Sequence, residues 1–299
     1  MSAALAAALA HALGQPVARL APVADGDLND AYAATLADGS RVFVKTSADP
    51  AAAGSFAAEA EGLRWLADAG ALSVPDVLAV ADDPPARASS ASPPPADPAA
   101  PPPADPAAPP AGPRFLALRW IDAGPSTPPA EQALGRGLAR LHAAGAPSFG
   151  GPADTLRIGP LALPNEPAPD WPTFYAARRL EPLARLAHDR HALPSDAPAL
   201  LDRLIARLPQ LAGPPEPPAR VHGDLWSGNV LTDTRGGPWL IDPAAHGGHR
   251  ELDYEEVAPL AAGARERVAL WQLAPLLLHA ALFGASWGAR ATEVLRRYA

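Results

Sequence analysis

Leu5, Leu9 and Leu13 recur every fourth residue in an alanine-rich start, the spacing of one helix face. From Val17 the pattern shortens. "VARLAPVA", "DAYAATLA" and "RVFVKTS" read as three strands, separated by "DGDLN" and "DGS", where Asp-Gly pairs signal turns. Phe56, Leu63 and Leu66 then share a face of "GSFAAEAEGLRWLADAG", which Gly70 stops, and the spacing predicts a helix. "VPDVLAVAD" and "RFLALRWI" follow as two more strands. This order predicts a small antiparallel sheet carrying one helix.

From about residue 129 the period is helical. "PAEQALGRGLARLHAAG" places Leu134, Leu138 and Leu141 on one stripe, with Pro near its start and Gly145 at its end. "DWPTFYAARRLEPLARLAHDRHAL" and "DAPALLDRLIARLPQLAG" predict two further helices. "VLTDTRGGPWLID" reads as a hairpin turning at "DTRGG", and helical segments close the chain. The stretch "LWQLAPLLLHAALFGASWG" is apolar, but Gln272, Pro275 and His279 interrupt it, which suits a buried helix and not a bilayer span. The expected architecture is α+β and bilobal. An N-terminal sheet lobe of residues 1–121 precedes a larger helical lobe of residues 122–299, with a cleft near residue 121.

Residues 84–113 break the first sheet's pattern. Thirteen of these thirty residues are Pro, and the octet PPPADPAA occurs twice in tandem. Proline cannot donate to a ladder, so the segment reads as a disordered insertion at a hairpin tip.

Composition narrows the chemistry. A net charge of −8 provides no basic field for nucleic acid or an anionic membrane. The chain has no cysteine, which excludes disulfides and thiolate chemistry and suits the cytoplasm. Of 24 basic residues all but Lys45 are arginine. A chain this biased toward arginine keeps a lysine where a compact charge on a thin stem is needed, unless it is a leftover surface residue.

The polar loop "VHGDLWSGNVL", residues 221–231, carries the candidate chemistry. Phosphoryl transfer needs an acceptor for a hydroxyl proton and hard oxygen ligands for a magnesium ion. Asp224 supplies the first; Asn229, five residues on, and Asp242 after the hairpin supply the second. Lys45, at the end of a strand, stands where kinases pair the α- and β-phosphates. Glu59 on the next helix is placed to orient it, while Glu61 points elsewhere on the helical wheel.

With these residues in view, "HGDLWSGN", "FVKT…FAAEAEGLRWL", "LGRGLARLH", "DWPTFYAARRLEPL" and "IDPAAHGGHRELD" together resemble the fructosamine kinase (ketosamine-3-kinase) family. These are relatives of the aminoglycoside phosphotransferases with a protein-kinase-like fold. Trp226 is part of the family's form of the loop. The resemblance covers nearly the whole chain apart from the proline insertion. It implies an ATP- and Mg²⁺-dependent kinase acting on the 3-hydroxyl of ketosamines, free or protein-bound, in deglycation. Asp224 would be the base, Asn229 and Asp242 the metal ligands, and Lys45 with Glu59 the phosphate clamp. Arg119, Trp120 and Ile121 would form the adenine-binding hinge, and Trp226, Trp171 and His249 the acceptor side. The glycine pair of the family's nucleotide loop is Asp25-Gly26 here.

The remaining polar residues have plainer readings. His222 reads as a structural histidine, and His246 with His249 as loop polarity. Trp171, Phe174 and Tyr175 read as core. Arg178, Arg179 and Arg185 read as a solvated helix face. Glu251, Asp253, Glu255 and Glu256 either attract a cationic amine or start an exposed acidic helix. Two other functions fit the same residues: an aminoglycoside- or choline-type phosphotransferase, and a catalytically silent nucleotide-binding scaffold.

Overall fold

Six short apolar segments near the N-terminus bury little alone and are stable only when packed together. In the computed structural model, which describes residues 2–23, 29–82, 112–253 and 258–299, five of them pair into one sheet. The strands are β1 (Val17–Val23), β2 (Asp30–Leu36), β3 (Arg41–Thr46), β4 (Val77–Ala81) and β5 (Phe115–Arg119). Their order is β1-β2-β3-β5-β4, with every neighbouring pair antiparallel. The sixth segment is helix α1 (Ser2–Leu13), whose Leu5 and Leu9 are buried with Leu36, Val42, Val44 and Phe115. Burying each leucine contributes about 2 kcal/mol. Along β3, Val42 and Val44 alternate with Phe43 and Lys45 on opposite faces.

Helix α2 (Ser55–Ala67) buries Phe56, Ala60, Leu63 and Leu66, the apolar stripe of the sequence. Its first turn is capped from a distance. Asp82, just past β4, accepts from the Gly54, Phe56 and Ala57 amides at 3.0, 2.7 and 3.1 Å. The carboxylate satisfies orphan amides and faces the positive end of the helix dipole.

Two compact units result: Met1–Ala57 with Val77–Trp120, and Ala58–Asp76 with Ile121–Ala299. This partition differs from the expected division at residue 121 by assigning 58–76 to the second unit. Within that unit the Gly62 backbone approaches Pro243 and Ala245 closely. The proline-rich insertion, save residues 112 and 113, lies outside the described residues, as do Asp25, Gly26, Glu255 and Glu256.

The second unit is mainly helical. β6 (Ala123–Gly124) leads to α3 (Pro128–Ala143), which Thr127 caps. A hairpin of β7 (Thr155–Ile158) and β8 (Leu161–Pro164) precedes α4 (Trp171–Tyr175) and α5 (Glu181–Asp189). α6 (Ala197–Leu211) leads into β9 (Ala219–Val221), then β10 (Val230–Asp233), β11 (Pro238–Leu240) and β12 (His246–Gly248). β10 pairs with β11 as the expected hairpin and with β6, while β12 pairs with β9. α7 (Ala264–Trp271), α8 (Leu273–Phe283) and α9 (Ala285–Tyr298) end the chain.

Prolines explain two departures from the sequence reading. The expected helix after Asp170 is α4 and α5 joined by a π-helical turn, Ala176–Leu180. Pro182 has no amide to offer the Arg178 carbonyl, and the Arg179 guanidinium bonds that carbonyl instead, at 2.9 Å. Arg179 is therefore buried, bonding Pro164 O and Asn165 Oδ1 as well, and is not on a solvated face. The apolar stretch after Leu270 is likewise three helices. Pro275 leaves the Trp271 carbonyl without its helical donor, and the Tyr175 hydroxyl serves the break. It lies 2.8 Å from Leu270 O and 3.2 Å from Trp271 O, and accepts from the Ala274 amide at 3.1 Å. Gly284, with φ 97 and ψ −162, makes the second break in a conformation that glycine alone adopts readily. No helix among the described residues is long and apolar enough to cross a membrane.

Candidate active site

The loop between β9 and β10 is held by its own first residues. Gly223 has φ 82, and a Cβ there would lie 2.2 Å from the Ala244 carbonyl oxygen, so the backbone passes only because the residue is glycine. His222, fully buried, accepts from the Ala244 amide through its backbone oxygen at 3.0 Å. Its Nε2 lies 2.9 Å from Ile241 O, and its Nδ1 is 3.3 Å from the Asp224 amide. A carbonyl only accepts and an amide only donates, so the ring is the Nε2–H tautomer. His222 thereby fastens residues 241–244 to residues 222–224. It is structural, as its sequence context indicates.

Asp253 anchors the other side. Its carboxylate accepts from the His222 amide at 2.5 Å and the Gly223 amide at 3.0 Å, with His142 Nε2 3.4 Å away. Burial alone would raise its pKa. The hydrogen bond from His142 and the backbone amide of His222 outweigh burial and hold the carboxyl below its ordinary value. Glu251 is also buried, accepting from Arg267 at 2.6 and 2.8 Å and from Trp271 Nε1 at 2.8 Å. Neither residue is part of an exposed acidic helix start.

This framework brings Asp224, Asn229 and Asp242 together. Asn229 Nδ2 donates to Asp224 O at 2.8 Å and approaches Asp224 Oδ2 at 3.2 Å. Its backbone oxygen accepts from the Ile241 amide at 3.0 Å, next to Asp242. Asp242 sits at φ 55, a left-handed conformation that aspartate tolerates better than most residues. Burial raises the Asp224 pKa. The Asn229 bond partly offsets this, and Asp242 adds a further upward push. Asp224 lines a cleft of about 890 Å³ in the second unit, with Trp226, Ser227, Gln272, His279 and Trp287 also on its walls.

A loop strapped in place around a carboxylate, with a side-chain amide and a second carboxylate nearby, is compatible with phosphoryl transfer. The sequence profile of the fructosamine kinase family matches residues 1–299. The chain belongs to the fructosamine kinase family. A candidate fructosamine-3-kinase from Thermobifida fusca YX-ER1 has the same fold at a TM-score of 0.80 with 39% identity, covering 98% of this chain and 97% of that one. A candidate ketoamine kinase of Lactiplantibacillus plantarum is 34% identical over 202 residues, 62% of this chain and 71% of its own length. The aminoglycoside phosphotransferase APH(4)-Ia shares the fold at a TM-score of 0.61 and 19% identity, covering 98% of each chain. The fold is the protein-kinase-like one.

The other residues that the family resemblance singled out are distributed over both units. In the first, Lys45 on β3 is 7% exposed, with Ala31 and Leu116 opposite it in the sheet. A lysine so buried is not a leftover surface residue. Arg119 ends β5 and Trp120 follows it, the Trp120 ring lying 6.5 Å from Phe43 and beneath the Arg41 guanidinium at 4.7 Å. In the second, Glu59 is half-buried on α2 while Glu61 is exposed, and Ile121 is half-buried. Trp226 is 59% exposed.

Trp171 and His249 are not on the large cleft. Both are buried in an aromatic cluster with Trp271, His249 stacking on Trp271 at 5.5 Å. His246 is buried as well, stacked on Phe174 at 5.6 Å, and burial lowers its pKa to about 3. The paired histidines are core residues, not loop polarity, and among the described residues no cluster of three metal-ligating side chains forms. Asp253 and His142 fall within the family-like segments, but their contacts with the loop, and the place of His279 and Trp287 on the cleft wall, were not legible in the sequence. Asp253 meets its partners across 30 and 31 residues, a distance that no local spacing rule reads.

Proposed function

We propose that Asp224 is the general base, Asn229 and Asp242 the magnesium ligands, and Lys45, oriented by Glu59, the phosphate clamp of an ATP-dependent ketosamine 3-kinase. As a member of the fructosamine kinase family, the protein phosphorylates ketosamines with ATP. The observation that supports the residue assignment is the closure of residues 222–229 on residues 241–244 through His222. Asp224 accepts the proton of the acceptor hydroxyl as that oxygen attacks the γ-phosphorus, the bond to the β-phosphate oxygen breaks, and ADP leaves.

Asn229 and Asp242 suit magnesium in this structure. The Asn229 amide nitrogen is committed to Asp224, which leaves Oδ1 for a cation, and Asp242 adds a carboxylate. Two protein oxygens, completed by phosphates and water, are a usual magnesium set. The ion supplies charge neutralisation on the transferring phosphate. Arg119, Trp120 and Ile121 would offer backbone groups to adenine, and Trp226 would border the acceptor. Protein-bound ketosamines are included among the acceptors, because the cleft bearing Asp224 is open enough for Trp226 to remain exposed.

The test is phosphorus NMR of Mg-ATP reactions with ribulosyl-lysine, fructosyl-lysine, a glycated protein, kanamycin and choline. A new phosphomonoester resonance with the ketosamines, free and protein-bound, is expected. Turnover of kanamycin or choline alone would overturn the acceptor assignment.

A further inference from the structure

The wall of the cleft formed by α8 and α9 carries a histidine that the mechanism above does not use. His279 Nδ1 lies 2.7 Å from the Pro275 carbonyl oxygen. A carbonyl can only accept, so Nδ1 carries the proton and, in the neutral ring, Nε2 has a free lone pair. The ring stacks on Trp287 at 4.5 Å and 29° and packs against Phe283 at 5.6 Å, and Arg290 lies 4.9 Å over the Trp287 ring. One hydrogen bond and an aromatic stack fix its orientation before any ligand arrives, which lowers the ordering cost of binding. His279 and Trp287 line the same cleft as Asp224, so one bound molecule can touch both. The cleft is also large enough for a sugar carrying an amine substituent.

A ketosamine offers a chain of hydroxyls, each a donor, on a carbon backbone with an apolar face. A fixed acceptor nitrogen beside an aromatic edge complements that pattern. We infer that His279, held on Trp287, is a specificity-determining residue for the acceptor: Nε2 accepts a hydrogen bond from a sugar hydroxyl and so holds the hydroxyl to be phosphorylated toward Asp224. The inference rests on the reading of this cleft as the acceptor site of a ketosamine kinase.

The competing role is purely structural, as a packing residue that ties down Pro275 and Trp287. His279→Phe keeps the aromatic stack and removes Nε2, whereas His279→Gln places an amide near the former Nε2. Steady-state kinetics with fructosyl-lysine and ATP should show the acceptor KM rising about 10-fold or more in His279→Phe, with the ATP KM within about 2-fold of wild type. His279→Gln should recover most of that loss. Deoxy analogues of the acceptor, each lacking one hydroxyl, extend the test: one of them should be handled equally by wild type and His279→Phe. An unchanged acceptor KM in His279→Phe overturns the inference. So does a parallel loss of ATP affinity and melting temperature in both variants, which would mark a structural residue. Wild-type protein that phosphorylates none of the ketosamines would instead overturn the underlying assignment of function.

Discussion

At the scale of single residues, the Asp224 carboxyl is buried, which makes its ionised form costly in the folded protein and would suit the base role proposed for it. Its folded pKa is raised, so the folded state binds this proton more tightly than the unfolded chain does. Its unfavourable contribution is therefore fully present above the folded pKa, begins to shrink as the pH falls through it, and is gone below the unfolded value. Asp224→Asn should lower kcat on the order of 10²–10⁴-fold with ATP affinity retained. The same variant should melt at a higher temperature than wild type at neutral pH, with the gap closing on acidification. Activity and calorimetry across a pH series check both; equal turnover, or a variant less stable at neutral pH, would remove Asp224 from this role. The acid limb of wild-type kcat/KM should also lie above the range of an ordinary carboxylate, because the base must be ionised. Asp253 has the opposite sign. Its folded pKa is lowered, so its stabilisation is present above the unfolded value and lost as the pH falls through the folded one. Lys45 presents a question of shape. Lys45→Arg keeps the charge but replaces a thin ammonium with a planar fork at a site only 7% exposed. Turnover should fall about 10²-fold or more, some 2.7 kcal/mol of transition-state stabilisation, in a coupled assay of ADP release. Wild-type turnover in this variant would return the lysine to a structural role.

At the scale of elements, the second unit is shaped by prolines inside apolar helices. Pro182 and Pro275 each strip a carbonyl of its helical donor; Arg179, the next residue, substitutes at the first and Tyr175, from the distant α4, at the second. Tyr175 is the sharper test, because its hydroxyl serves groups on both sides of the break between α7 and α8. Tyr175→Phe leaves the ring in place and orphans those groups, at a cost of about 1–3 kcal/mol. Urea unfolding should show that loss with an unchanged slope. A difference below about 0.5 kcal/mol would mean that water replaces the hydroxyl, since an exposed break needs no side chain.

At the scale of the whole molecule, residues 86–111 form the one long segment whose composition cannot build a core. Their removal should leave the melting temperature and the kcat/KM for ATP and ketosamine within about 2-fold of wild type. A large rise in the ATP KM would show that this segment contributes to nucleotide binding. Membership of the fructosamine kinase family over residues 1–299 includes the segment within the matched span.

The alternation of apolar and polar positions, the turn pairs and the loop "HGDLWSGN" were enough to read the five-stranded sheet, the helical second half and the candidate base and ligands. Those features depend on periods of two and 3.6 residues and on spacings within one loop, which are local properties of a chain. Four other decisions required the folded molecule. Asp253 became the anchor of the loop, Glu251 the partner of Arg267, and Arg179 and Tyr175 the substitutes for missing amides. His279 was set on Trp287 by packing of α8 against α9. For Asp253, Glu251 and Tyr175 a polar group is satisfied by a partner its local pattern does not name, and a buried group must find some partner wherever the fold brings one. The chain's periodicity determines which faces are buried. Which polar residues go in with them is decided by the unpaired amides and carbonyls that the packed elements leave behind.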